Sequence, residues 1–159
     1  MLRRAKIYIG ATVREAIVAA LHYNNAGICF EQDNPEVVAD WRQGSGLAVA
    51  LRSALERFSP QERNLRSYKK AEWPSYRASN SRSIRTFEAA YLRISVQALD
   101  EAEFFYDAEA YPSGEEDIAL HVTLNRHGPN EEIDRKLLKL FNACVDWPKY
   151  ERLAGSRWS

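Results

Sequence analysis

The sequence predicts an α+β fold, in which helices pack on one face of an antiparallel sheet of three or four strands. Three segments between residues 91 and 125 have apolar residues at every second position, which is typical of strands with one buried face. The segments before and after them have apolar residues at helical spacing, with Gly or Pro near their ends. With 159 residues, 45% of them apolar, the chain is long enough to form one stable domain.

The N-terminal region is predicted to form a strand followed by a helix. Residues 6–11 are a short apolar run closed by Gly10, which predicts a strand at the edge of the sheet. Thr12 and Glu15 have the spacing of a helix capping box, so residues 12–27 are predicted to be helical. The apolar stripe of this helix consists of Val13, Ile17, Ala20 and Leu21.

Residues 29–60 are predicted to contain a short strand and two helices. Cys29 begins an apolar run that suggests the strand. Asn34 and Pro35 suit the N-cap and the first position of a helix. Residues 45–60 predict a further helix that Pro60 ends, and its buried side consists of Leu47, Leu51, Ala54, Leu55 and Phe58.

A basic segment, residues 60–86, connects the two halves of the chain. It contains seven Lys or Arg residues and two Glu residues, a net charge of +5. Residues 60–71 suit a short helix, whereas residues 75–83 predict a loop because Ser and Asn are frequent there.

A β-meander follows, with runs at residues 91–98, 104–111 and 118–125. Alternation divides its side chains between two faces. The inward set is Leu92, Ile94, Val96, Phe104, Tyr106, Ala108, Ala110, Ile118, Leu120, Val122 and Leu124. The outward set is Tyr91, Arg93, Ser95, Gln97, Phe105, Asp107, Glu109, Tyr111, His121, Thr123 and Asn125.

The last predicted helix comprises residues 130–147, with Asn130 as its N-cap. Its inward side consists of Ile133, Leu137, Leu140, Phe141 and Cys144. We therefore expect one domain, residues 1–159. Its parts are a strand with helices (1–60), the basic segment (60–86), the meander with its helix (87–147) and a tail (148–159).

Eight acidic residues and no Lys or Arg lie between Asp100 and Asp117. One interpretation is an ordinary solvated sheet face, on which Arg93 pairs with Asp107 or Glu109. A second is that the basic segment folds against these acids and neutralises them. A third is a surface for a basic partner protein. The residues predicted for that surface are Phe105, Asp107, Glu109, Tyr111, Glu115, Glu116 and Asp117.

No motif predicts a reaction. His121, on the outward face near Asp107 or Glu109, is the best candidate for a general base, but no nucleophile motif accompanies it. Cys29 and Cys144 are expected to be reduced thiols packed among apolar residues. The sequence has neither the close ligand spacing of a metal motif nor a phosphate-binding glycine loop. We therefore expect a protein that is not an enzyme and needs no metal or cofactor.

Nucleic-acid binding is the alternative function. The basic residues between Arg63 and Arg85 are interleaved with Tyr68, Trp73 and Tyr76, a pattern found in single-strand binders. The competing interpretation is that these aromatic residues anchor a solvated loop to the core. The balance of 22 Lys and Arg against 22 Asp and Glu favours the second interpretation.

The second half of the chain resembles the small bacterial immunity proteins of contact-dependent growth inhibition systems. The stretches that carry the resemblance are "EWPSYRASNSRSIRTFEAAYLRISV", "FFYDAEA" and "EDIALHVTLNRHGPNEEI". The resemblance implies a cytoplasmic protein that binds one cognate toxin domain, often a nuclease, and covers its active site or substrate surface. No apolar run approaches the ~20 residues that a membrane helix needs, so no membrane association is expected.

Overall fold

The computed structural model of the protein describes residues 1–148, which form a sheet of eight strands with four α-helices. The strands are β1 (Arg4–Gly10), β2 (Ala16–Tyr23), β3 (Cys29–Glu31), β4 (Glu36–Val38), β5 (Ser59–Pro60), β6 (Tyr91–Ala98), β7 (Phe105–Ala110) and β8 (Leu120–Asn125). The helices are α1 (Gly46–Glu56), α2 (Pro74–Ala78), α3 (Ile84–Ala90) and α4 (Asn130–Val145). The main strand order is β3-β2-β1-β6-β7-β8, and β4 and β5 also pair with β2.

The predicted α+β class and the antiparallel meander are confirmed, but the sheet has more strands than the three or four predicted. The short strand suggested at Cys29 is present as β3, whereas β2, β4 and β5 were not predicted. Strand β1 was predicted to lie at the sheet edge and instead lies near its middle, hydrogen-bonded to β2 on one side and β6 on the other.

The helix predicted for residues 12–27 is wrong, because β2 occupies the centre of that segment. Every residue from Ala16 to Leu21 is buried. A strand covered on both faces has a continuous apolar sequence, and a short continuous run also satisfies a helical stripe. The capping box assigned to Thr12 and Glu15 is therefore not part of a helix.

The helix predicted to begin at Asn34 and Pro35 is also wrong. Asn34 has a φ of 57°, so the chain turns there, and β4 follows. Trp41 lies beyond β4, where it is buried with its ring 5.3 Å from that of Phe141. Asn is one of the few residues that adopt a left-handed backbone readily, and it serves here in a turn between two strands.

Helices α1 and α4 were predicted and pack on one face of the sheet, where the main core lies. All five residues predicted for the inner side of α4 are buried. Asn130 is not the N-cap, which is Pro129; the Asn130 side chain accepts a hydrogen bond from Arg52 Nε at 2.9 Å. Asp134 of α4 accepts one from the Ala48 N–H at 2.7 Å, which joins α4 to the start of α1.

Residues 65–90 cover part of the opposite face of the sheet. They contain two short 3₁₀ helices and, after these, the α-helices α2 and α3. Part of the segment predicted as a loop, residues 75–83, is thus helical, because Pro74 suits the first position of α2. Tyr8 and Ile17 of the sheet form a second core cluster with Phe87 of α3. Among residues 1–148, no helix has the length and apolar character needed to cross a membrane.

Candidate functional site

The sheet face opposite α1 and α4 has two halves that differ in their surroundings. We call the side of β1, β2 and β3 beneath residues 65–90 the covered half. We call the corresponding side of β6, β7 and β8 the open half. The predicted binding residues of β7 lie on the open half, and the basic segment lies on the covered half.

The basic segment is attached to the covered half through a buried carboxylate. Glu31 is 6% exposed and accepts hydrogen bonds from the Tyr8 hydroxyl at 2.5 Å, the Ser75 N–H at 3.0 Å and the Ser75 hydroxyl at 2.7 Å. Burial and the adjacent Glu31 charge raise the pKa of Tyr8 well above its ordinary value. The phenol therefore stays protonated and remains a donor to Glu31.

Aromatic residues of the basic segment also pack against the sheet. The Trp73 ring lies 5.7 Å from that of Tyr8 and 4.9 Å from that of Phe87, and Tyr76 lies 6.1 Å from Phe87. Trp73 and Tyr76 are thus anchors and not free stacking platforms. The seven Lys and Arg side chains of the segment are exposed.

The centre of the open half is a cluster of two carboxylates and one imidazole. Asp107 and Glu109 are alternate residues of β7 and share a face, and Glu109 lies directly opposite His121 of β8. His121 Nδ1 is 3.0 Å from Asp107 Oδ2, and its Nε2 is 3.9 Å from Glu109 Oε2. The prediction that His121 lies near these acids is confirmed. The side chain of His121 is 48% exposed, that of Glu109 29% and that of Asp107 14%.

Two aromatic residues flank this cluster along β7. Phe105 begins the strand and Tyr111 follows it, and each is 44% exposed. At about 3.4 Å per residue the two are ~20 Å apart. A hydrogen bond from the Tyr111 hydroxyl to Glu109 raises the pKa of Tyr111. We call these four residues, Phe105, Asp107, Glu109 and Tyr111, the β7 strip. Two acidic side chains lie in its middle and one aromatic side chain lies at each end.

Further exposed apolar residues lie beside the two ends of this strip, and the sequence prediction missed them. Leu99 and Phe104 lie next to Phe105, and they are 52% and 53% exposed. Ile118 lies in the loop that follows Tyr111, and it is 38% exposed. Alternation placed Phe104 and Ile118 in the inward set, but β7 begins at Phe105 and β8 at Leu120. Tyr91, predicted outward, is buried against Phe87.

The other three predicted binding residues are not on this face. Glu115, Glu116 and Asp117 lie in the loop between β7 and β8. The start of that loop is held toward α4, since the Ser113 N–H donates to the Cys144 carbonyl at 3.3 Å. Glu116 and Asp117 are exposed and Glu115 is half-buried. The structure thus separates the seven predicted residues into a strip on β7 and a neighbouring acidic loop.

The ion pairs within residues 1–148 bear on the three interpretations of the acidic run. None of them joins the basic segment to an acid between Asp100 and Asp117. Glu103 is neutralised from elsewhere, by Arg3 at 2.9 Å and Arg126 at 3.2 Å. The expected pairing of Arg93 with Asp107 or Glu109 is not among these ion pairs. Strand register explains this, because the β6 residues opposite those acids are Gln97 and Ser95.

A cleft of about 510 Å³ lies between the covered and open halves. Trp73 and Phe87 line one side, Tyr111 lines the other, and Arg93 lies between them. Two further clefts, of about 570 and 300 Å³, are lined by residues near Thr12 and Asp40. His121 is exposed and lines none of these three clefts.

The two cysteines are unpaired thiols, and Cys144 is fully buried. Burial raises the pKa of Cys144 to about 11, so its thiol is protonated at neutral pH. Cys29 is half-buried at the start of β3. The expected packing among apolar residues is therefore confirmed for Cys144 and not for Cys29.

Comparisons with known proteins identify the fold only. No protein family matches the sequence, and no curated protein sequence is detectably similar to it. A solved structure of a protein of unknown function from Neisseria meningitidis is similar, with a TM-score of 0.67 and 12% sequence identity. The match covers 91% of this chain and 96% of that one. The two chains therefore share an architecture over nearly their whole lengths.

Proposed function

We propose that this protein is an immunity-type protein that binds and neutralises a cognate bacterial toxin domain, a nuclease, without catalysing a reaction. The observation that carries the proposal is the β7 strip. Asp107 and Glu109 lie between exposed Phe105 and Tyr111, and within residues 1–148 the only ion-pair partner of either acid is His121. The proposed location is the cytoplasm, where such a toxin acts.

The chemistry of the strip suits a basic partner. A nuclease must attract phosphate groups, so its substrate surface is positively charged. Carboxylates on the surface that faces such a nuclease increase the association rate of the two proteins and fix their relative orientation. Aromatic residues are enriched in the buried cores of protein interfaces, and Tyr is among the residues that most often dominate the binding energy. The strip combines both kinds of group on one rigid strand.

The strip is too small to form the whole interface. Three strands about 4.8 Å apart and ~20 Å long present roughly 300 Å², whereas a stable interface covers about 800 Å² on each partner. The loops at the two ends of β7, residues 99–104 and 111–118, contain exposed Leu99, Phe104 and Ile118. We propose that the partner contacts these loops as well as the strip.

The test begins with a search for a toxin-domain gene beside the gene of this protein, and its product, as a catalytically inactive variant, is then titrated with the chain by isothermal titration calorimetry. In the double variant Asp107→Lys/Glu109→Lys we expect at least a 100-fold loss of affinity, because like charges then face each other. The matched control is Glu56→Lys, which reverses an exposed acid at the end of α1 on the other side of the sheet. It should bind as tightly as the parent chain. Protection of bacterial growth should follow the same order.

A second double variant tests the aromatic flanks. Phe105→Ala/Tyr111→Ala should lose affinity with little change in the salt dependence of binding, since it removes area and no full charge. Unchanged affinity in both double variants, with thermal midpoints near that of the parent, would show that the partner binds elsewhere.

The alternative, nucleic-acid binding through residues 63–85, is supported by the exposure of their seven basic side chains. Trp73 and Tyr76, however, are packed against the core and do not offer a free face to bases. Titration with single-stranded DNA and RNA at low salt distinguishes the two functions. Tight binding that Arg77→Glu/Arg82→Glu abolishes would favour the alternative.

A further inference from the structure

The Asp107–Glu109–His121 cluster has the composition and spacing of a metal site. One ligand atom from each residue lies within 4.8 Å of the other two. The three residues are held by a regular antiparallel ladder, in which Glu109 is opposite His121 and Asp107 is two residues along the same face. The positions of their Cβ atoms are therefore fixed by the sheet and not by a loop.

We propose that Asp107, Glu109 and His121 bind one divalent transition-metal cation, with Zn²⁺ the best fit. One imidazole nitrogen and two carboxylate oxygens form a mixed donor set that zinc, manganese, cobalt and nickel accept. Calcium and magnesium prefer oxygen ligands alone, which disfavours them at a site that includes His121. The proposal concerns this chain by itself and does not depend on the proposed toxin binding.

The distances need only small side-chain adjustments. Ligands at about 2.0–2.2 Å from a tetrahedral zinc ion lie roughly 3.3–3.6 Å from each other. The ligand atoms of the three residues lie within 4.8 Å of one another, so their separations must shrink by at most about 1.5 Å, which rotation of the partly exposed Glu109 and His121 side chains can supply. On binding, the His121 nitrogen releases its hydrogen-bond contact with Asp107, and both groups ligate the cation.

Among residues 1–148, no Lys or Arg lies directly opposite either acid in the strand register. The residues opposite Asp107 and Glu109 on β6 are Gln97 and Ser95, and the residue opposite Asp107 on β8 is Thr123. All three are uncharged. Within residues 1–148, no Lys or Arg forms an ion pair with either carboxylate. A bound dication would balance the charge of both acids, and His121 is exposed enough to leave a coordination position open to water.

The experiment is calorimetric titration of the tag-free chain with ZnCl₂, MnCl₂ and MgCl₂, in a Cys29→Ser background that removes the half-buried thiol. We expect one zinc ion per chain and much weaker binding of magnesium. His121→Ala and Glu109→Gln should each weaken zinc binding at least tenfold. His127→Ala is the matched control, since His127 is also exposed but lies in the turn before α4, beside Phe104. It should leave the affinity unchanged.

Paramagnetic broadening by Mn²⁺ locates the site independently of affinity. Amide resonances of Ala108 and Val122, which form a register pair in the middle of β7 and β8, should broaden first. The amide of Ala50, in α1 on the other side of the sheet, should not. Stoichiometric zinc binding that persists in His121→Ala, broadening centred elsewhere, or no zinc binding at all would each overturn the proposal. None of these results depends on a toxin, so they leave the proposed function to its own test.

Discussion

The covered and open halves of the same sheet face show how surroundings decide what a carboxylate does. On the covered half, Glu31 is buried and accepts three hydrogen bonds, from Tyr8 and Ser75. On the open half, Asp107 and Glu109 are partly exposed and contact only the imidazole of His121 as an ion-pair partner within residues 1–148. A buried charge must be fully hydrogen-bonded or it destabilises the fold. Glu31 is therefore a structural residue, whereas the open pair remains available to a ligand.

Aromatic residues differ between the halves in the same way. Phe87 and Trp73 join the covering segment to Tyr8 of the sheet, and Phe87 is 1% exposed. Phe105 lies on the open half and is 44% exposed. The covered half thus uses its aromatic rings for stability. The open half keeps rings in solvent at a cost that a binding partner would offset.

The largest expected effect comes from truncating one phenylalanine in each half. Phe87→Ala removes a buried ring that contacts Tyr8, Trp73 and Tyr91, so we expect the free energy of unfolding to fall by about 3–5 kcal/mol. Phe105 is 44% exposed, so Phe105→Ala should lower this free energy by only about 1 kcal/mol. Urea denaturation followed by circular dichroism measures both. If the two variants lose similar amounts of unfolding free energy, then the aromatic residues of the two halves do not differ in their contribution to stability.

A smaller effect is expected when one charge is removed from each half. In the parent chain, Glu31 accepts three hydrogen bonds from Tyr8 and Ser75. In Glu31→Gln, the amide N–H group must face one of these donors, so at least one hydrogen bond is lost. We expect the free energy of unfolding to fall by about 1–3 kcal/mol. Glu109→Gln changes a partly exposed group and should be close to neutral. The same denaturation measurement applies. If Glu31→Gln and the parent have the same free energy of unfolding, then water, and not Tyr8 and Ser75, supplies the hydrogen bonds to this carboxylate.

The sequence was sufficient to predict the meander and the composition of its outward face. Period-two alternation placed Asp107 and Glu109 together and brought His121 near them, and β6, β7 and β8 have that arrangement. Alternation is reliable there because one side of each strand is buried and the other is exposed. It fails at strand ends, where Phe104 and Ile118 leave the ladder and become exposed.

The sequence could not predict strand β2 or the attachment of the basic segment. In β2 the burial of both sides removes the alternation, so residues 16–21 resemble a helical stripe as much as a strand. The bonds between Glu31 and Ser75 join residues that are 44 positions apart, and no local pattern indicates such a contact. The strand register could not be predicted either, because it is set by how the strands pair in the fold. It places His121 opposite Glu109, and uncharged residues of β6 opposite both acids.

The smallest expected effect concerns Lys6, which lies on β1 at the boundary between the two halves, opposite Ser95 of β6 and Ala19 of β2. Burial lowers the pKa of Lys6 below its ordinary value of 10.5, although the charge of Glu31 opposes the shift. The protonated amine is therefore disfavoured in the fold at neutral pH, and this cost disappears as the pH rises from the folded pKa towards 10.5. Lys6→Met should be more stable than the parent at pH 7, and the difference should shrink as the pH rises towards 10.5. Lys139→Met, at an exposed position of α4, is the reference for a Lys-to-Met change at the surface. A Lys6→Met difference that stays constant as the pH rises would mean that Lys6 is solvated and that the boundary belongs to the open half.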